Sequence, residues 1–241
     1  MPTGTVSRLW RWPVKSMAGE ELRSVTLGPR GVGGDRTHAV LHEHKGAWRP
    51  LTAREAPGLL AWRAAYPSDP DERLDPARPP HATVTEPGGA REWGWEDPQL
   101  GPTLERDLGR PVRLERDEAG IPDVPGTVLV TVAGTLTALG DELGTAVDPR
   151  RFRPNLHLEL DTDPWAELDW AGRSIEIDGG VRLEVAEACV RCAIPTRDPD
   201  TQAKWPGLLK HLAAEHGQGF GVLARVAVPG RVAAGAAVRI S

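Results

Sequence analysis

The sequence predicts a mainly β, barrel-like α+β protein, and three observations carry that prediction. Its 241 residues hold 23 prolines and 27 glycines, scattered between short apolar segments in the punctuation of many brief strands. The opening segment, Val6, Arg8, Trp10, Trp12 and Val14, has the period-two spacing of an extended chain. The regular strand–helix–strand alternation of a doubly wound parallel sheet is absent.

Taken in order, that first segment and Leu22, Val25 and Leu27, ended by the Gly28-Pro29 turn, read as a pair of strands. His38 to Leu41 reads as another strand. Thr52 to Leu60 reads as a short helix with a Thr N-cap, interrupted by Pro57 and Gly58. Pro67 to Pro80 is rich in Pro, Asp and Arg and predicts an exposed connection. Ala82 to Glu86, the turn Pro87-Gly88-Gly89 and Arg91 to Trp95 predict a hairpin. Leu104 and Leu108, four apart before Gly109, predict a helix over 102–109, and Val112 to Leu114 resumes as a strand. Ala119 to Gly126 is the expected connection between two domains, residues 1–118 and residues 119–241. In the second, Thr127 to Val132 reads as a strand that runs into a helix through Leu139 and Leu143. Strands are expected at Leu156 to Leu160, Ser174 to Ile177, Arg182 to Val185 and Val222 to Val228. A short amphipathic helix is expected at Leu208 to His216, and a terminal strand ends near Ile240.

Composition narrows the function. With 29 basic and 34 acidic residues the net charge is −5, which argues against a binder of nucleic-acid backbone. The two cysteines, Cys189 and Cys192, are too few and too close for a secreted disulfide scaffold. Met1 to Ser16 has no apolar run fit for a signal-peptide core, and the charge-free stretch Gly126 to Gly140 falls short of the roughly 20 residues that span a bilayer. A cytoplasmic protein with no nucleic-acid or membrane partner is expected. Nine tryptophans against two phenylalanines point to a core filled with large amphipathic rings.

The chemistry concentrates in a few segments. In Cys189-Val190-Arg191-Cys192 a thiol stands beside an arginine, an arrangement that favours the thiolate, a soft metal ligand. On these residues alone a buried structural pair, a redox pair and half of a zinc site stay open. The zinc reading lacks a second CxxC, and the redox reading lacks a strand-to-helix context. Basic or polar turns occur at Pro13-Val14-Lys15-Ser16, Gly33-Gly34-Asp35-Arg36, Leu51-Thr52-Ala53-Arg54 and Arg151-Phe152-Arg153-Pro154-Asn155. If they converge, Lys15, Arg36 and Arg153 make a cationic pocket suited to a phosphate, with Asn155 adding a directional amide. Asp198, close to Cys192 in sequence, either orients the loop, relays protons or forms a turn before Pro199.

These segments, in this order, resemble the MOSC family, named for the C-terminal domain of molybdenum-cofactor sulfurase. The likeness runs from PVKS at Pro13 through GGDR, LTAR, RFRPN and VRCAIPTRDPDT to the closing FGVLARVAVPGRVAAGAAV from Phe220. It implies a MOSC β-barrel-like domain over 119–241 and a MOSC-associated β-rich domain over 1–118. It implies a molybdenum cofactor whose metal is held by Cys192, with Lys15, Arg36, Arg153, Asn155 and Arg191 around the pterin dithiolene and its phosphate. Thr131 and Thr135 stand where relatives contact the cofactor, and Cys189 is left structural. The activity implied is reduction of small N-hydroxylated or N-oxygenated substrates; a carrier of sulfurated cofactor and a metal-free thiol protein carrying sulfane sulfur are the alternatives. A separate electron-donor protein is expected: two cysteines cannot ligate a Cys₄ iron–sulfur cluster, no Rossmann fingerprint occurs, and no further module follows Phe220 to Ser241.

Three other patterns are set aside. His42-Glu43-His44 shows no third ligand, Asp161 and Asp163 read as a polar turn, and Gly31 to Gly34 fits neither phosphate-loop pattern.

Overall fold

The computed structural model describes residues 1–67, 74, 78–121 and 124–241, so the expected connection over 67–80 lies largely outside the described residues. Its centre is an eight-stranded sheet. Across it run Leu156–Leu160, Thr127–Val132, Gly219–Val228, Val181–Val190, Ser174–Ile177, Ala237–Ile240, Thr3–Arg11 and Glu20–Leu22. Thr3–Arg11 also pairs with Leu156–Leu160, so all but Glu20–Leu22 close into a barrel. Closure removes the free edges that an open sheet exposes.

The barrel interior is filled at every second residue, as period-two strands require: Val128, Val130 and Val132, then Leu156, Leu158 and Leu160, then Val181, Leu183 and Val185. Full burial of each such side chain contributes about 1.5–3 kcal/mol. Among the described barrel strands only Thr127–Val132 and Leu156–Leu160 pair in parallel, and the chain crosses between them through helix Ala133–Leu143. A single crossover of that kind therefore exists within an otherwise antiparallel barrel.

Among the described residues three smaller sheets accompany the barrel, and the two main apolar cores do not divide at one point in the chain. Val6, Leu9, Leu22, Val25, Leu27 and Val32 pack into the barrel core with the second half. The other core, built on Trp62, Trp93, Trp95, Leu100 and Leu104, draws on residues 14–112. The tryptophans do fill the interior, and their buried N–H groups find partners: Trp12 Nε1 donates to the Pro154 carbonyl and Trp62 Nε1 to Asp107, at 2.9 and 2.7 Å.

Helices occur at Leu100–Leu108 (α1), Ala133–Leu143 (α2) and Pro206–Glu215 (α3), with α1 stopped by Gly109 at φ +64°. The helix expected over 52–60 shrinks to a 3₁₀ turn, Pro57–Ala61, because Pro57 lacks an N–H and disfavours helical geometry in the residue before it. Ala47–Pro50 is a strand that, like Gly31–Val32 and Arg63–Ala65, has no counterpart in the sequence reading. It returns from His38–His44 through Lys45 and Gly46, both at positive φ. Among the described residues, no helix is long and apolar enough to cross a membrane.

Candidate functional site

Four of the basic segments meet at a cavity of about 480 Å³ beside the barrel, and Cys192 lies in its wall. Lys15 enters from the turn after the first strand, Arg36 from the Gly33–Arg36 turn, Arg153 from the end of the 3₁₀ turn Pro149–Phe152, and Arg191 from the end of Val181–Val190. With Arg54 they make five cations lining the cavity, against one lining carboxylate, Glu187, among the described residues. Lys15, Arg153 and Arg191 are themselves buried.

Backbone carbonyls hold these side chains in place. Lys15 Nζ donates to the Ile121 carbonyl at 3.1 Å and Arg153 Nη1 to the Met17 carbonyl at 2.7 Å. The Arg153 guanidinium also lies 4.3 Å over the Trp12 ring. Arg36 pairs with Asp35, and its Nη2 reaches the Arg153 carbonyl at 3.4 Å. Arg191 Nη2 donates to the Phe152 carbonyl at 2.6 Å and Nη1 to Cys189 Sγ at 2.9 Å, while its Nε is buried without a hydrogen-bond partner. Arg191 thus engages Cys189, and the Cys192 thiol is left half-buried in the cavity wall. Ser16, Arg36 and Arg153, three of the seven non-glycine residues at positive φ among the described residues, all line this cavity.

Asn155 also lines it, but its amide serves the backbone: Oδ1 accepts from Leu129 N at 3.1 Å, and Nδ2 donates to the Trp10 carbonyl at 3.4 Å. It joins the first strand to the second half of the barrel more than it points at a ligand. The other three expected residues lie elsewhere. Thr131 Oγ1 meets His157 Nδ1 at 2.8 Å, where burial pushes the imidazole down to about 4 and so keeps it neutral at neutral pH. Thr135 sits on the buried face of α2, donates to Glu167 Oε2 at 2.7 Å and accepts from Trp165 N at 2.9 Å. Neither threonine lines the cavity: Thr131 shares a strand face with Thr127 and Leu129, which do, but lies further along the strand, and Thr135 is buried on α2.

Asp198 forms the turn. Its Oδ1 accepts from the backbone N–H groups of Asp200 and Thr201 and from the Thr201 hydroxyl, and its Oδ2 from Arg151 at 2.7 Å. The Thr201 N–H, the remaining donors and Arg151 hold the carboxyl below its ordinary range, which leaves it a poor proton carrier. Ser16, Arg54 and Glu187 were not singled out in the sequence, although two of them stand in the same turns as Lys15 and Thr52. A second cleft of about 560 Å³, bounded by Trp10, Arg150 and Arg197, shares Arg153 and Ile194 with the first.

Comparison with known proteins gives the family of the chain. Residues 125–239 match the MOSC domain, and residues 3–89 match the MOSC N-terminal beta barrel domain. The chain is 28% identical over 242 residues to mitochondrial amidoxime-reducing component 1 of Mus musculus, covering 82% of this chain and 67% of the relative. The Homo sapiens component 1 is 28% identical over 244 residues, with the same shares covered. Among solved structures, the YUAD protein from Bacillus subtilis aligns over 100% of this chain and 97% of its own at 12% identity, with a TM-score of 0.47.

Proposed function

Because the chain belongs to the MOSC family, we propose that it is a molybdenum-cofactor oxidoreductase that reduces N-hydroxylated or N-oxygenated small molecules, with Cys192 as the protein ligand of the metal. The family includes molybdenum-dependent reductases, and the resemblance of this chain to amidoxime-reducing components is distant. One observation carries the reading: basic side chains from both ends of the chain converge with Cys192 on one cavity.

The residues present fit such a group. A pterin bearing a phosphate and a dithiolene-bound metal is a large anion, and a cavity lined by five cationic side chains suits it. Buried cations are costly to desolvate, and an anionic ligand offsets that cost. The Arg191 Nε, buried and unpartnered, is a donor in want of an acceptor. Lys15, Arg36 and Arg153 would hold the phosphate, Arg191 the pterin side, and the Cys192 thiolate the metal. When bound, the cofactor supplies a two-electron centre able to take an oxygen atom from an N–OH group. Arg191, fixed by the Phe152 carbonyl and the Cys189 sulfur, sets the approach to Cys192 and excludes Cys189 from the same role. Electrons come from a separate donor protein, and the enzyme works in the cytoplasm.

Molybdenum and pterin content, measured together with amidoxime reduction driven by reduced viologen, tests the proposal. Near-stoichiometric metal with turnover supports it. Full metal content without turnover from any electron source favours the carrier of sulfurated cofactor, and protein that takes up no cofactor on reconstitution rejects both.

A further inference from the structure

Away from that cavity, α2 and α3 meet at a cluster of three side chains that the proposed activity does not use. His211 Nε2 and His216 Nε2 lie 2.7 and 2.8 Å from one oxygen, Oε2 of Glu142. Among the described residues this is the one group of three or more His, Cys, Asp or Glu whose ligand atoms lie together, all within 4.8 Å of one another. Tetrahedral zinc, with bonds of about 2.0–2.1 Å, places its ligand atoms about 3.3 Å apart. A small spreading of the cluster admits the ion.

The surroundings hold the cluster in register. Trp165 Nε1 donates to the other carboxylate oxygen, Oε1, at 3.1 Å, and the indole stacks on the His216 ring at 3.5 Å and 13°. A carboxylate oriented by an outside donor, and an imidazole fixed in its plane, are what metal sites recruit to set their ligands. Trp165 stands there under strain, at φ +68°, a conformation rare for a bulky side chain. Its N–H is received by Thr135 Oγ1 at 2.9 Å, which fixes the strained residue to α2.

We propose that Glu142, His211 and His216 bind a divalent transition-metal ion, zinc by preference, as a clasp between α2 and α3. Two imidazoles and one carboxylate suit zinc and disfavour magnesium or calcium, which prefer all-oxygen shells. The fourth position faces solvent, since all three side chains are only partly buried. The helix α3 packs on the 3₁₀ turn Ile194–Thr196, two residues past Cys192, so the clasp stiffens the base of the cysteine loop.

The test is titration of the metal-free full-length chain with Zn²⁺ and with Co²⁺, followed by calorimetry and by visible absorption. One equivalent binds, the cobalt spectrum shows d–d bands without thiolate charge transfer, and Mg²⁺ gives no heat. Glu142→Gln and His211→Ala abolish the binding, and Trp165→Phe, which keeps the stacking ring but loses the N–H, weakens it by about 10-fold. The metal-free melting temperature shows whether each variant still folds. A folded Glu142→Gln or His211→Ala variant that binds Zn²⁺ as tightly as the parent overturns the proposal. So does a cobalt spectrum dominated by thiolate charge transfer, or a parent chain that takes up no Zn²⁺.

Discussion

Replacing Thr135 by valine keeps the shape of the side chain and removes only its hydroxyl, which makes it a sharp test of what that residue does. The hydroxyl joins α2 to the 3₁₀ turn Ala166–Asp169: it donates to Glu167 Oε2 and accepts from the N–H of Trp165, which caps that turn. Glu167 is fully buried, and its other oxygen already lacks a partner. Loss of the hydroxyl therefore strands a buried carboxyl and an amide N–H. The amide bond contributes about 1 kcal/mol and the bond to the carboxyl about 1.5–3 kcal/mol, so Thr135→Val should destabilise the protein by about 2.5–4 kcal/mol. Urea unfolding followed by tryptophan fluorescence measures that change, and pterin content per folded molecule should stay at the parent value. A variant with unchanged unfolding midpoint and depleted pterin would refute the reasoning and return Thr135 to the cofactor.

Cys192→Ala should abolish molybdenum content and turnover while Cys189→Ala keeps most of both, as read by metal analysis; equal loss in the two would sink the single-ligand assignment. Lys15→Ala and Arg36→Ala should each lower cofactor affinity by about ten- to a hundredfold, the equivalent of one charge-assisted hydrogen bond, with little change in apoprotein melting. Burial raises the Glu167 pKa, so the folded state holds its proton more tightly than the unfolded chain does. The stability this lends is complete below the ordinary carboxyl range and falls away as pH rises through the folded value. Glu167→Gln should flatten that part of the stability–pH curve, and an identical slope in parent and variant would count against a buried, titrating Glu167. Isolated protein should reduce an amidoxime with reduced viologen and should not oxidise NADH; brisk NADH-driven turnover would remove the need for a separate donor.

Much of the barrel was legible because period-two alternation is a local signal. The strands at 127–132, 156–160 and 174–177 follow from their own residues. The pairing of the first strand with the last and with Leu156–Leu160 was not, since register between distant segments leaves no mark on either one alone. That pairing also explains why residues 3–32 share a core with the second half. The expected division near residue 119 falls between the two family matches, residues 3–89 and 125–239, and strand pairing nevertheless crosses it. The short helix over 52–60 failed for the opposite reason, because a single proline outweighed an otherwise acceptable cap.

The site separates in the same way. Lys15, Arg36, Arg153 and Arg191 are found by type and turn context, and the fold brings them together. Thr131, Thr135 and Asp198 were chosen by position along the chain, and their hydroxyl and carboxylate groups turn out to be engaged by His157, Glu167 and Thr201. The backbone supplies a separate argument for the cavity. A left-handed conformation costs a residue with a side chain about 1–2 kcal/mol, and glycine would relieve it. Where this chain needs only space it uses glycine: Gly34, at φ +78°, leaves no room for a Cβ, which would lie 2.6 Å from the Tyr66 ring. Two residues later, Arg36 takes the strained conformation and keeps its guanidinium, and Arg153 does the same across the cavity. On the proposed function, these charges, brought to one cavity from both halves of the sequence, would form a preorganised anion site, in which little reorganisation is left to be done when the ligand arrives.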